Sequence, residues 1–193
     1  MTKHEFKLHT IETAPEASRN ALTEVKKKFG RVPNFFGITA ESPAATNAYL
    51  SLSKIFQSTA LTPAEQQIVI LAASVENKCD YCVAAHSRGA KMAGVPEDAI
   101  NAIKAKAPLE DAKTEALRCL VSQIVDKHGW RSDADVQAFL NQGYSRSQLL
   151  DVMVGVSMKT LATTSTTSPV LPSSSYLRRS ARRNVIGASG DFI

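Results

Sequence analysis

Apolar residues recur three and four positions apart through most of residues 1–161, and no stretch keeps the two-residue alternation of a half-buried strand. Short turn signals divide this pattern into helices. Residues 15–29 form the first, stopped by Gly30 and followed by the turn signal Val32-Pro33-Asn34. Ser42 is placed as an N-cap with Pro43 at the first helical position, which predicts a second helix reaching about residue 56. Thr62-Pro63-Ala64-Glu65 is a sharper start, in which Thr62 caps, Pro63 fits the first turn and Glu65 closes a capping box. The helix it opens carries Ile68-Val69-Ile70-Leu71-Ala72-Ala73, apolar nearly all round, as expected for a helix in the middle of a bundle. Helices over 79–92, stopped by Gly94, and a short one after Pro96 come next. Residues 109–128, with Leu117, Leu120, Val121, Ile124 and Val125 at helical spacing, then 133–140 and 147–161 complete the set. The predicted fold class is all-α, with no repeat of solenoid period.

The character changes after Leu161. The run Ala-Thr-Thr-Ser-Thr-Thr-Ser-Pro-Val-Leu-Pro-Ser-Ser-Ser is poor in helix formers and in large apolar residues, so 162–193 reads as a low-complexity, disordered tail behind a helical domain at 1–161. Arg178, Arg179, Arg182 and Arg183 against Asp191 give that tail +3 of the net +5, leaving +2 for the domain. A basic cluster confined to a tail argues against a nucleic-acid-binding fold. The most apolar stretch, residues 68–75, is too short to span a bilayer, and the N-terminal segment shows no apolar signal region. Three cysteines do not make a disulfide framework, so the expected setting is the reducing cytoplasm.

In that setting the chemistry falls on Glu76-Asn-Lys-Cys79-Asp-Tyr-Cys82-Val-Ala-Ala-His86. On a helix Cys79, Cys82 and His86 occupy i, i+3 and i+7, one face. Two thiols one turn apart can join when the first sits at the helix start, where the backbone can adjust and where free N–H groups and the dipole favour thiolate. His86 lies one turn beyond Cys82, placed to take its proton, which makes Cys82 the better-activated thiol. Two plainer readings compete: a buried, inert pair, or a zinc site with His86. Structural zinc takes four ligands and no second Cys/His pair exists, so redox use is favoured and no metal or cofactor is expected. Cys119, alone on an apolar helix face, reads as a packed core thiol. His4, His9 and His128 lack such a context and read as surface or helix-end residues.

The segment Leu61-Thr-Pro-Ala-Glu … Ile-Leu-Ala-Ala-Ser-Val-Glu-Asn-Lys-Cys-Asp-Tyr-Cys-Val-Ala-Ala-His-Ser … Ala-Gly-Val-Pro resembles the carboxymuconolactone decarboxylase/alkylhydroperoxidase D-like superfamily, on its cysteine-bearing side, over roughly residues 20–161. The resemblance implies an all-α bundle assembling into trimers or hexamers. It implies reduction of hydrogen or organic peroxides through the cysteine pair, with thiols restored by a dithiol partner, such as a lipoylated or thioredoxin-like protein. Carried over, Cys82 is the attacking thiol, Cys79 the resolving thiol and His86 the proton acceptor. The family's lactone decarboxylases lack the cysteine pair, which counts against decarboxylation. The remaining alternative is a redox- or metal-responsive binding protein.

Two places depart from the family pattern. Where alkylhydroperoxidase D has a relay glutamate, this chain has Gln67, which cannot carry a proton at neutral pH. Glu76, one turn before Cys79, is the expected substitute, and Glu65 the second choice because its capping box already employs it. The family's last helix typically continues into a motif like Asn/Asp-Tyr-x-Asn-His, where this chain has Thr163, Thr164, Ser165, Thr166 and Thr167. Threonine codons read one base earlier encode Asn, Asp, Tyr or His, and the matching serine codons encode Phe, Leu, Ile or Val. Residues 162–193 are therefore read as translated out of the ancestral frame.

Overall fold

The computed structural model describes residues 6–167 and is all-α: among these residues nine helices form and no strand. Residues 168–193, most of the expected tail, lie outside the described residues, as does His4. The chain divides into two compact units, Met1–Ser51 with Thr164–Ile193, and Leu52–Thr163.

In the first unit α1 (Glu16–Phe29) ends at Gly30, whose φ of 72° is the left-handed conformation that glycine adopts freely. The predicted turn at Pro33 instead starts a short helix, α2 (Asn34–Thr39), whose Phe35 and Phe36 are both buried. These rings pack edge-on with each other and with Tyr49 of α3 (Pro43–Gln57), centroids 4.5–5.7 Å apart. Proline at the N-cap and burial of α2 by tertiary contacts explain why local punctuation misleads here. His9 is not a surface residue. It is buried, with Nε2 2.6 Å from Glu41 Oε2 and Nδ1 2.8 Å from the Thr13 carbonyl.

The second unit is organised around α4 (Pro63–Glu76). Its predicted capping box is present: Thr62 Oγ1 accepts from Glu65 N–H, and Glu65 accepts from Thr62 N–H. Ile68 through Ala73 are all buried, as a central helix requires, and α4 packs against α5 (Asp80–Met92), α6 (Glu97–Ala105) and α7 (Ala112–Asp126). Asp111 caps α7, which ends at Asp126, two residues before the left-handed pair His128 and Gly129, so His128 lies at a helix end. α8 (Asp133–Asn141) carries Phe139, whose ring stacks on Tyr144 at 4.3 Å. α9 (Arg146–Thr167) does not stop at Leu161. It continues six residues further, with Ala162, Thr163 and Thr166 buried along it. Threonine is a modest helix former rather than a breaker, and burial of one face carries the helix past the point where propensity alone weakens.

Candidate functional site

The thiol pair sits where two helices are spliced. α4 closes in a Schellman turn, with Lys78 N–H bonding Val75 O at 3.0 Å and Cys79 N–H bonding Ser74 O at 3.1 Å. Lys78 takes the left-handed place that glycine usually fills, at φ 55°. Cys79 is thus fixed from behind by α4 while serving as N-cap of α5, and its Sγ accepts the Cys82 amide N–H at 3.3 Å. Both cysteines are buried, and no disulfide joins them. Cys82 and His86 are buried one turn apart on α5, while Cys79 stands just outside the helix as its N-cap, with extended backbone.

His86 is 5% exposed, and its Nε2 lies 2.9 Å from Nζ of Lys159 on α9, itself 1% exposed. This lysine is the site residue that the sequence reading passes over. Burial above all, and then the neighbouring Lys159 charge, hold the imidazole well below its usual 6.5, so His86 is neutral. One signal for Lys159 was available: it falls on the same stripe of α9 as the buried Val152, Val156 and Ala162.

The carboxylates considered for the relay are engaged elsewhere. Glu76 Oε1 accepts from Ser122 Oγ of α7 at 3.0 Å, and Oε2 pairs with Lys106 beyond α6. Glu65 Oε1 pairs with Lys113 at 3.0 Å while Oε2 serves the capping box, and these donors outweigh burial in holding its carboxyl below the ordinary range. Among the described residues neither carboxylate bonds His86, whose Nε2 lies against Lys159 Nζ instead. Gln67 does reach α5: its Oε1 is 2.7 Å from where a Cβ on Gly89 would lie, so its flexible amide end would have to shift for a larger residue there. That oxygen is buried with no hydrogen-bond partner among the described residues.

Cys119 is not a core thiol. It is part-buried, donates to Glu115 Oε1 at 3.1 Å, and accepts from Arg118 Nη2 at 3.3 Å. Burial and the Glu115 carboxylate push this thiol up to about 11. Among the described residues no group of three His, Cys, Asp or Glu side chains is placed to hold a metal, and no helix is long and apolar enough to cross a membrane.

An all-helical protein with an unbridged cysteine pair at a helix start and a buried histidine behind it is the class that fold and site define. Residues 40–121, which hold both thiols and His86, match the family model described as the carboxymuconolactone decarboxylase family. That match and the all-helical fold support the carboxymuconolactone decarboxylase/alkylhydroperoxidase D-like superfamily. No curated protein matches it in sequence. Its fold is that of the alkylhydroperoxidase AhpD core of an uncharacterized peroxidase-related protein from Ralstonia eutropha JMP134, at 19% identity, TM-score 0.72, and coverage of 90% of this chain and 94% of that one. A peroxidase-related protein from Silicibacter sp. TM1040 is similar at 16% identity, TM-score 0.69, covering 92% and 95%. A Cys-to-Ala variant of the debrominase Bmp8, solved with 2,3,4-tribromopyrrole, is similar at 11% identity, TM-score 0.74, covering 95% and 98%. At these identities the likeness is one of fold. Family and fold together support a peroxidase-related or decarboxylase-like enzyme.

Proposed function

We propose that the chain is a thiol-dependent peroxidase that reduces hydrogen or organic hydroperoxides with electrons from a dithiol. The observation that carries this reading is the splice itself: two unbridged cysteines three residues apart at the head of α5, with a buried histidine one turn behind the second. Cys82 thiolate attacks the distal peroxide oxygen; the S–O bond forms, the O–O bond breaks, and the alkoxide leaves to take up a proton. Cys79 then attacks the Cys82 sulfenic acid, forming the disulfide and releasing water. A dithiol, carried by a lipoylated or thioredoxin-like protein, reduces the disulfide and is itself oxidised. A cysteine at an N-cap suits the second step, because N–H groups and the helix dipole stabilise Cys79 as attacking thiolate and again as leaving group.

The same contact favours one rival order, in which Cys79 attacks first and Cys82 resolves. Alkylation by iodoacetamide between pH 6 and 9, with the labelled cysteine identified by mass, separates the two. Faster labelling of Cys82 supports the assignment, and faster labelling of Cys79 or equal rates overturn it. The reading as a peroxidase requires that one equivalent of cumene hydroperoxide remove two thiols together and that a dithiol restore them. Thiols unchanged by peroxide would refute it.

A further inference from the structure

Which nitrogen of a histidine carries the proton is set by what the other nitrogen faces. His86 Nε2 faces Nζ of Lys159 at 2.9 Å, in a buried contact between α5 and α9. An ammonium has hydrogens to donate and no lone pair with which to accept one. With Lys159 positively charged, the proton in the contact belongs to Nζ, and Nε2 is the acceptor. An Nε2–H form would set donor against donor inside the protein. The imidazolium form would do the same and add a second positive charge at that distance. Burial and the Lys159 charge both hold the ring neutral. A neutral ring has one proton to place, and Nδ1 is the position left for it.

We infer that Lys159 fixes His86 as the Nδ1–H tautomer, which makes the ring a hydrogen-bond donor in the thiol site and not its base. The inference rests on the thiol chemistry proposed above and deepens it, since spacing along α5 alone suggests the opposite role. Nε2 cannot take a proton while Lys159 donates to it, and Nδ1 already holds one. The proton that leaves Cys82 therefore passes to solvent, and the ring stays neutral throughout. What His86 offers instead is one N–H, backed by a fixed positive charge. That polarity suits a site where negative charge forms, first on sulfur and then on the alkoxide leaving the peroxide. Lys159 acts through the ring, so it is a positioning residue.

The acidic groups of the surrounding helices leave this contact alone. On α4, Glu65 is held by Lys113, and Glu76 by Ser122 and Lys106. On α7, Glu115 pairs with Arg118 at 2.7 Å, and on α6, Glu97 pairs with Lys91 of α5 at 3.0 Å. On α9 itself, Asp151 accepts from the Ala60 N–H at 3.4 Å. Among the described residues no carboxylate lies within ion-pair distance of Lys159, and its hydrogen bond goes to His86. A carboxylate in the place of Lys159 would reverse the polarity, because it would accept from Nε2–H and leave Nδ1 free to take a proton. The lysine is thus what turns the ring from base to donor.

The test is a set of long-range 15N–1H spectra of the reduced full chain with ring-15N histidine, recorded from pH 6 to 9. The His86 signals are identified by their loss in His86→Gln. The expected result is a neutral ring protonated at Nδ1 across the whole range, including where Cys82 ionises. An Nε2–H ring, or a ring that gains a proton as Cys82 loses one, overturns the inference. Lys159→Met keeps most of the apolar stem and removes the donor, and there the Nδ1–H form should give way to Nε2–H or to a mixture. Persistence of pure Nδ1–H in that variant overturns the role of Lys159. Should Lys159→Met not fold, the wild-type titration decides alone. Peroxide turnover enters neither readout. A protein inert to peroxide with an Nδ1–H ring removes the proposed reaction and keeps this assignment, whereas an active protein with an Nε2–H ring removes the assignment alone.

Discussion

Gly155 offers a sharp test of the packing that seats the site, because it lies on α9 one turn before Lys159. A Cβ at Gly155 would lie 2.7 Å from Cε2 and Cζ of Phe56 and 2.8 Å from Cγ1 of Val69. Carbon atoms in comfortable contact are about 3.5–4.0 Å apart, so roughly 1 Å must be found. Phe56 and Val69 are both core residues, and an aromatic ring is not the free end of a flexible chain. Two effects oppose each other in Gly155→Ala. Alanine gains about 0.5–1 kcal/mol over glycine inside a helix, while overpacking a dense core costs about 1–3 kcal/mol. Overpacking wins, and the expected outcome is a destabilisation of about 0.5–2 kcal/mol. Urea unfolding should show a lower midpoint at unchanged slope. For a chain of this size the melting temperature should fall by roughly 2–4 °C per kcal/mol. Because α9 must move to make room, the Lys159–His86 contact should loosen. A Gly155→Ala protein as stable as wild type would refute the account of this crossing.

His86 should make the protein acid-labile. Its folded pKa lies well below 6.5, so below that pH the unfolded chain takes up a proton that the folded chain refuses. Stability should be full above about pH 6.5 and fall by up to about 1.4 kcal/mol per pH unit beneath it, and His86→Gln should remove that component in urea titrations at pH 5 and 7. Cys119 should label slowly with iodoacetamide at pH 8 despite its partial exposure, since its thiol is held up to about 11; Glu115→Gln should speed the labelling. Thr62→Ala should cost about 1 kcal/mol through loss of the capping box, read by thermal unfolding, with little effect on thiol reactivity. Ending the chain after Leu161 removes the buried Ala162, Thr163 and Thr166, and should cost more than the ~0.5 kcal/mol typical of surface changes; equal stability would show that the end of α9 is dispensable.

What the sequence made legible was local. The caps at Ser42 and Thr62, the stop at Gly94 and the one-turn spacing of Cys82 and His86 each depend on neighbours within a turn or two. What it concealed was set at a distance. Lys159 meets His86 across 73 residues, and a lone lysine in an apolar run reads as a side chain snorkelling to solvent. Glu76 looked apt because it lies one turn before Cys79, yet Ser122 of α7 and Lys106 draw its carboxylate away. α2 and the last six residues of α9 are helical because tertiary burial supports them against unhelpful local signals. The reading of 162–193 as out of frame gains no direct support from the helix, since α9 runs on through the threonines as they stand.

The central claim is that the spliced thiol pair turns over peroxide, and it is tested most directly by the consumption of cumene hydroperoxide with dihydrolipoamide as the dithiol. Wild-type protein should turn over many times, Cys79→Ser should consume a single equivalent and stop, and Cys82→Ser should consume none. Turnover by Cys82→Ser at the wild-type rate would contradict the account.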